Sequence, residues 1–190
     1  MVTSSAYAKH VNRYRKPFSL GTSEFSIIFA ALNELGLTNQ QLIIYTDGAA
    51  RGNPGRGGYG VVLIWGKVRK ELSQGYRMTT NNRMELLAVI EALEALTKEG
   101  LSITIYTDSQ YVVNSVEKGW LWNWIKINFK DKKNRDLWER FVPLYKKHRI
   151  KFQWVKGHAT NPENNRCDEL ATAAADGGSL LVDEGYERGD

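Results

Sequence analysis

The chain has 190 residues, 42% hydrophobic and 25% charged, with a formal net charge of +5. That is an ordinary globular composition, long enough for one domain with an appendage and too balanced for a fibrous or wholly disordered chain. No apolar run approaches the ~18 residues of a membrane span, so no membrane partner is expected. The single cysteine, Cys167, excludes an internal disulfide and fits a reducing compartment, which predicts a cytoplasmic protein.

Residues 1–21 are basic and Ser-rich, without the apolar core of a secretory signal, and read as a disordered arm. Apolar positions at Phe25, Ile28, Phe29, Leu32 and Leu35 predict a short helix that Gly36 stops. Residues 1–40 are therefore expected to be an N-terminal extension with one short helix.

Two later stretches repeat one pattern. Leu42-Ile43-Ile44-Tyr45-Thr46-Asp47 and Ile103-Thr104-Ile105-Tyr106-Thr107-Asp108 are β-branched runs closing on Tyr-Thr-Asp. Each predicts a buried strand with a carboxylate at its C-terminal end, where open α/β sheets bind their ligands. Side by side, the two acids would face each other across about 5 Å. Like charges that close need a cation or a shared proton between them.

Between the repeats, Gly55, Gly57 and Gly60 fit the dinucleotide pattern G-x-G-x-x-G. That pattern must open a helix, and here it opens the strand Val61–Trp65, so nucleotide binding is excluded. The glycines instead predict a tight loop beside Asp47. Gly66 turns the chain into a third strand, Lys67–Met78. Thr79-Thr80-Asn81-Asn82 leads into a helix over Arg83–Glu99, with Leu86, Leu87, Ile90, Leu93 and Leu96 on one face.

After Asp108 the pattern predicts helices to Val116 and over Trp120–Ile127, a basic loop Lys130–Arg135, and a helix Asp136–Lys147. A strand Lys151–Val155, a loop Gly157–Asn165 and a helix Arg166–Ala175 follow; residues 177–190 read as a frayed acidic tail. The order β-β-β-α-β-α-α-α-β-α predicts an α/β fold. Its five-stranded mixed sheet would be an antiparallel meander followed by parallel strands, flanked by helices.

Charge is concentrated in one part of the chain. From Lys118 to Lys151 eleven Lys and Arg stand against three acids, a net of +8 that exceeds the +5 of the whole molecule. The same segment holds Trp120, Trp122, Trp124 and Trp138. Basic residues interleaved with aromatics suit a nucleic-acid backbone, although a solvated helix face with Trp in the core would give the same pattern.

The acids each have a bland alternative. Asp47 could serve a turn, Asp108 a helix cap, Glu85 a capping box with Asn82, and Asp168 a solvated surface. Taken together, four carboxylates without a Cys or His cluster are ligands for magnesium or manganese rather than zinc. Two such ions about 4 Å apart suit in-line displacement at a phosphodiester. His158, in the Gly- and Asn-rich loop before Asp168, is placed to shuttle a proton.

The stretches that carry these acids have a familiar form. Tyr45-Thr46-Asp47-Gly48, Gly52-Asn53-Pro54-Gly55, Thr79–Leu86, Thr107-Asp108-Ser109-Gln110-Tyr111, Val155–Ala159 and Asn165–Ala171 closely resemble the type 1 ribonuclease H family in its bacterial form, over residues 41–176. The resemblance implies a magnesium-dependent endonuclease that cuts the RNA strand of RNA–DNA hybrids, leaving 3′-hydroxyl and 5′-phosphate ends. Two other readings stay open to a chain of this fold: a related nuclease or strand transferase, and a silent hybrid-binding module.

Family roles then fall on Asp47, Glu85, Asp108 and Asp168 as metal ligands, Asp47 being shared by both ions. His158 matches a histidine of proton transfer or product release. Asn53, Asn81 and Gln110 match readers of the minor groove, where RNA displays its 2′-hydroxyls. Thr80 and Asn134 match a pocket for a DNA-strand phosphate. Trp120, Trp124, Lys130, Lys132 and Lys133 match a basic protrusion that grips the DNA strand. Met78 stands where an arginine of the phosphate pocket often falls, and alternation would aim Arg77 at the other face. The protrusion is shorter than the familiar bacterial form, and residues 1–40 do not resemble a hybrid-binding domain. Nothing in the sequence calls for more than a monomer.

Overall fold

The computed structural model describes residues 41–157 and 160–189. The expected extension over residues 1–40 and the candidate His158 lie outside the described residues. In chain order the elements are β1 (Leu42–Gly52), β2 (Gly55–Trp65), β3 (Val68–Thr79), α1 (Asn81–Glu94), β4 (Ser102–Thr107), α2 (Gln110–Glu117) and α3 (Trp120–Lys126). They continue as α4 (Arg135–Lys146), β5 (Arg149–Trp154), α5 (Pro162–Asp176), β6 (Leu180–Leu181) and α6 (Glu184–Arg188). Among the described residues no helix is long and apolar enough to cross a membrane.

The strands form one mixed sheet ordered β5-β4-β1-β2-β3-β6, so six strands replace the expected five. β1, β2 and β3 are an antiparallel meander, whereas β4 is parallel to both β1 and β5. The twin Tyr-Thr-Asp strands are neighbours in register: Ile44 pairs with Ile105, Tyr45 with Tyr106 and Thr46 with Thr107. The two tyrosine rings stack at 4.9 Å. Ile44 and Ile105 are fully buried, each stabilising the fold by about 1.5–3 kcal/mol.

Several boundaries differ from the sequence reading: α5 begins at Pro162, inside the expected loop and four residues before Arg166, because Asn161 caps it there, and β5 begins at Arg149 rather than Lys151. β1 does not stop at Asp47; it runs on to Gly52 and turns at Asn53-Pro54 into β2, with Asp47 opposite Gly60. The expected glycine loop is thus a β-hairpin, whose strand glycines mark close approaches: a Cβ at Gly58 or Gly60 would collide with the backbone of α5. α1 starts two residues before Arg83 and ends at Glu94 rather than Glu99; the Gly100 N–H goes to the Lys147 carbonyl at 2.7 Å. Residues 177–189, expected as a frayed tail, supply β6, which pairs with Gly75 and Tyr76 of β3, and α6.

α1 and α5 cover opposite faces of the sheet. On one face Gly48 of β1 lies against α1, so closely that an added Cβ would collide with the backbone nitrogen of Glu85. On the other, Gly60 of β2 lies against α5, where a Cβ would collide with the Cys167 carbonyl oxygen. α1 is buried on most of its circumference, including Met84, Leu86, Leu87, Val89, Ile90 and Leu93, because α4 covers its outer side. Trp138 and Phe141 of α4 are fully buried there.

Candidate active site

The parallel register of β1 and β4 ends at Thr46 and Thr107, so Asp47 and Asp108 occupy the next position on adjacent strands. Asp47 is buried and accepts from the Gly48 N–H at 2.7 Å. Asp108 sits where the chain leaves β4, its own carbonyl held by the Trp154 indole N–H at 3.0 Å. It does not cap α2; Ser109 does, accepting from the Val112 N–H at 3.2 Å.

Glu85 projects from the second turn of α1, a helix that Gly48 allows to lie directly on β1. The capping box with Asn82 does not form, since Thr80 holds the N-cap position without a side-chain cap bond. The Glu85 carboxylate instead accepts from the Asn81 amide at 2.6 Å and from the Ser109 hydroxyl. Asp168 comes from α5, whose start is fixed by Asn161 accepting from the Glu163 and Asn164 N–H groups at 3.1 and 3.2 Å. Pro162, at the first position, needs no such partner.

All four acids line one cleft of about 480 Å³, together with Gly48, Ala49, Ala50, Arg51, Asn81 and Thr172. Their proximity is visible in their protonation. Burial, then the charges of Asp108, Asp168 and Glu85, push the Asp47 carboxyl up from 3.8 to about 8. Glu85 rises from 4.5 to about 7, chiefly through burial, with Asp108 adding to it and the Ser109 hydrogen bond opposing it. The acids are thus held together against mutual repulsion that a dication would relieve. Among the described residues no three Asp, Glu, His or Cys side chains close around one ion. The carboxylates that line the cleft are oxygen donors of the kind that hard divalent cations take.

The candidate nucleic-acid residues fall into three groups. Asn53, at the hairpin turn, accepts from the Asn81 N–H at 3.2 Å, so the turn is tied to the start of α1 beside the cleft; Gln110 is exposed at the start of α2. Thr80 and Asn134 are the N-cap residues of α1 and α4. Arg83 fastens those two helix starts together, donating to Asp136 at 2.6 and 2.9 Å. Asn134 adopts φ 61° and donates its amide to the Tyr111 hydroxyl at 3.0 Å, which also accepts from the Trp138 indole at 2.8 Å.

The third group is the basic protrusion. Lys130, Lys132 and Lys133 are exposed on a loop with left-handed residues at Asn128, Phe129, Asp131 and Asn134. The Lys132 ammonium lies 6.0 Å from the Trp124 ring, and Trp124 is anchored edge-on to buried Trp138 at 5.8 Å. Trp120 keeps an exposed face, with Lys118 5.4 Å from it.

Sequence reasoning missed three participants. Ser109 could have been found as a hydroxyl at a helix start. Arg51 shares the face of Asp47 by strand alternation, four positions on. Asp183 could not have been found: it grips Arg83 from 100 residues away.

Known proteins give this geometry its context. A model of the RNase H family matches residues 39–176. The ribonuclease H of Syntrophus aciditrophicus (strain SB) is 57% identical over 152 residues, covering 77% of this chain and 87% of that protein. The ribonuclease HI of Synechocystis sp. (strain ATCC 27184 / PCC 6803 / Kazusa) is 50% identical over 155 residues, covering 78% of this chain and 96% of its own. Among solved structures, LC9-RNase H1, described as a type 1 RNase H with the type 2 active-site motif, superposes with TM-score 0.66 at 31% identity. That match covers 78% of this chain and 80% of the other. LC11-RNase H1, solved in complex with an RNA/DNA hybrid, does so with TM-score 0.53 at 29% identity, over 71% of this chain and 96% of its own. Agreement of sequence over most of both chains, on a fold that superposes, establishes that this chain belongs to the RNase H family.

Proposed function

We propose that this chain is an endonuclease that hydrolyses the RNA strand of RNA–DNA hybrids, leaving 5′-phosphate and 3′-hydroxyl ends. The observation that carries the reading is the convergence of Asp47, Glu85, Asp108 and Asp168 on one cleft in a chain of this family. The hybrid held by LC11-RNase H1 supports the same partner here.

Asp47, Glu85, Asp108 and Asp168 would hold two magnesium ions, with manganese as a substitute; the proton affinity of Asp47 and Glu85 supports this, since a dication can take the proton's place. When bound, such ions lower the pKa of water and offset charge on a leaving 3′-oxygen. The protein's own contribution is positional. Ser109 and Asn81 orient the Glu85 carboxylate, and the Gly48 N–H orients that of Asp47. His158, which follows β5 and precedes α5 in the chain, would move a proton at the scissile phosphate or release product.

Asn53, Asn81 and Gln110 would read 2′-hydroxyls in the minor groove. The adjoining starts of α1 and α4, where Thr80 and Asn134 occupy the N-cap positions without side-chain cap bonds, suit a DNA-strand phosphate, since helix N-termini favour anions. Trp120, Trp124, Lys130, Lys132 and Lys133 would grip the DNA strand beyond it. We take residues 41–176 as the catalytic domain of a cytoplasmic monomer, with residues 177–189 bracing it and residues 1–40 as an extension.

Cleavage of matched RNA–DNA, RNA–RNA and DNA–DNA duplexes, with magnesium and with chelator, tests the reading. Cutting confined to the RNA of the hybrid, dependent on magnesium and lost in Asp47→Asn while hybrid binding persists, is expected. Equal cutting of all three duplexes would point to another nuclease of the fold. Binding without cutting would leave a silent hybrid-binding module.

A further inference from the structure

Among the described residues, Arg51 is the one basic side chain that lines the cleft with the four acids. It stands on β1 four positions beyond Asp47, and alternation puts the two side chains on the same face of the strand. Its guanidinium donates through Nε and Nη2 to the two oxygens of Asp176, at 2.8 and 2.6 Å. Asp176 is the last residue of α5, the helix that carries Asp168. One edge of the guanidinium fork is thereby fixed, whereas the other edge carries further N–H donors.

As a salt bridge alone this pair has little to offer. Both side chains are about half exposed, at 51% and 53%, and exposed pairs typically contribute about 0–1 kcal/mol. An arginine tethered on one edge is, however, pre-organised to take a second anion on the other, because a planar guanidinium can bridge a carboxylate and a phosphate. The cleft needs such a group. A polyanionic strand entering it meets four acids, and the lysines of the protrusion lie on a different part of the chain.

We infer that Arg51 binds a backbone phosphate of the cleaved strand next to the scissile one, and that Asp176 is the positioning residue that holds it there. The inference rests on the hybrid-cleaving reading and assigns that site a substrate contact from this chain's own sequence. Arg51 takes no part in the chemistry of bond breaking, so its loss falls on binding.

The test compares wild type, Arg51→Gln, Arg51→Lys and Asp176→Asn on one hybrid, with steady-state cleavage and salt-dependent binding measured for each. Arg51→Gln is expected to raise KM about tenfold, the scale of one charge-assisted hydrogen bond, with kcat nearly unchanged and the thermal midpoint little moved. The log–log salt slope should flatten by about one unit. Arg51→Lys should recover the slope but only part of KM, and Asp176→Asn should fall between wild type and Arg51→Gln. A scan of single methylphosphonates along the RNA-strand backbone then locates the contact. One neutralised phosphate near the cut should weaken wild type about as much as the mutation does, without weakening Arg51→Gln further.

An Arg51→Gln enzyme with wild-type KM and salt slope overturns the inference, as does an identical methylphosphonate profile in both proteins. A wild-type protein that does not cut hybrids would instead overturn the functional reading on which it rests.

Discussion

Asp183 grips Arg83 with both carboxylate oxygens, at 2.7 and 2.8 Å, and both side chains are buried. The same carboxylate accepts from the Thr79 hydroxyl at 2.6 Å, so one acid joins the end of β3 to the first turn of α1. Arg83 turns its remaining donors to Asp136, and nearby Glu187 of α6 holds Arg77 at 2.5 and 2.8 Å. Strict alternation does not hold at Arg77 and Met78, because β3 places both of them opposite the single Arg56 of β2; what Arg77 meets is this C-terminal segment.

Asp183→Ala should therefore destabilise the domain by roughly 3–5 kcal/mol, the cost of breaking a buried pair by removing one partner. Urea unfolding would show the midpoint fall with little change in slope. An unchanged midpoint would mean that residues 177–189 do not brace the domain.

Gly48→Ala places a methyl group against the backbone of Met84 and Glu85, closer than a Cβ can sit without something moving. Overpacking of this kind costs about 1–3 kcal/mol. The larger effect should be catalytic, because displacing a catalytic group by about 1 Å can cost on the order of a hundredfold. Single-turnover cleavage is expected to fall far more than hybrid affinity. A variant with wild-type turnover would show that α1 can shift without moving Glu85 out of place.

In the metal-free protein the pH dependence of stability should run opposite to that of a salt-bridged acid. Asp47 rises from 3.8 to about 8 on folding, and Glu85 from 4.5 to about 7. The folded state thus binds more protons than the unfolded chain between those values, and stability falls as pH rises. The contribution is fully present below about pH 4 and lost as pH rises through about 7 to 8. With chelator present, the thermal midpoint should drop between about pH 5 and about pH 8.5. Asp47→Asn should flatten that decline, and so should magnesium in the native protein. A midpoint that rises over the same range would contradict the crowding of these acids.

Legibility in the sequence follows the range of the interactions. Asp47 and Asp108 can be paired from the residue pattern alone, because the two strands carry the same β-branched run and a single crossover helix makes them parallel. Asp168 is different: its neighbours in the chain look like an ordinary solvated helix, and it enters the site only by being counted with the other three acids, a grouping that the family resemblance then supports. The hairpin around Gly52–Gly60 reads as a loop because glycine serves turns, ladders and close helix contacts alike, and nothing local tells them apart. β6 has two residues, Leu180 and Leu181, too few for alternation to register. Asp183 acquires its role only from the burial of Arg83, which no local pattern encodes.

The closeness of α1 and α5 to the sheet also bears on whether this site could be moved elsewhere. Absent methyl groups, at Gly48 against α1 and at Gly58, Gly60 and Gly75 against α5, set how near the helices bearing Glu85 and Asp168 come to the sheet bearing Asp47. Grafting the four acids onto another α/β scaffold would copy the side chains and leave that spacing behind. A transplant would have to carry those glycines along with the four acids, although none has a side chain with which to touch substrate.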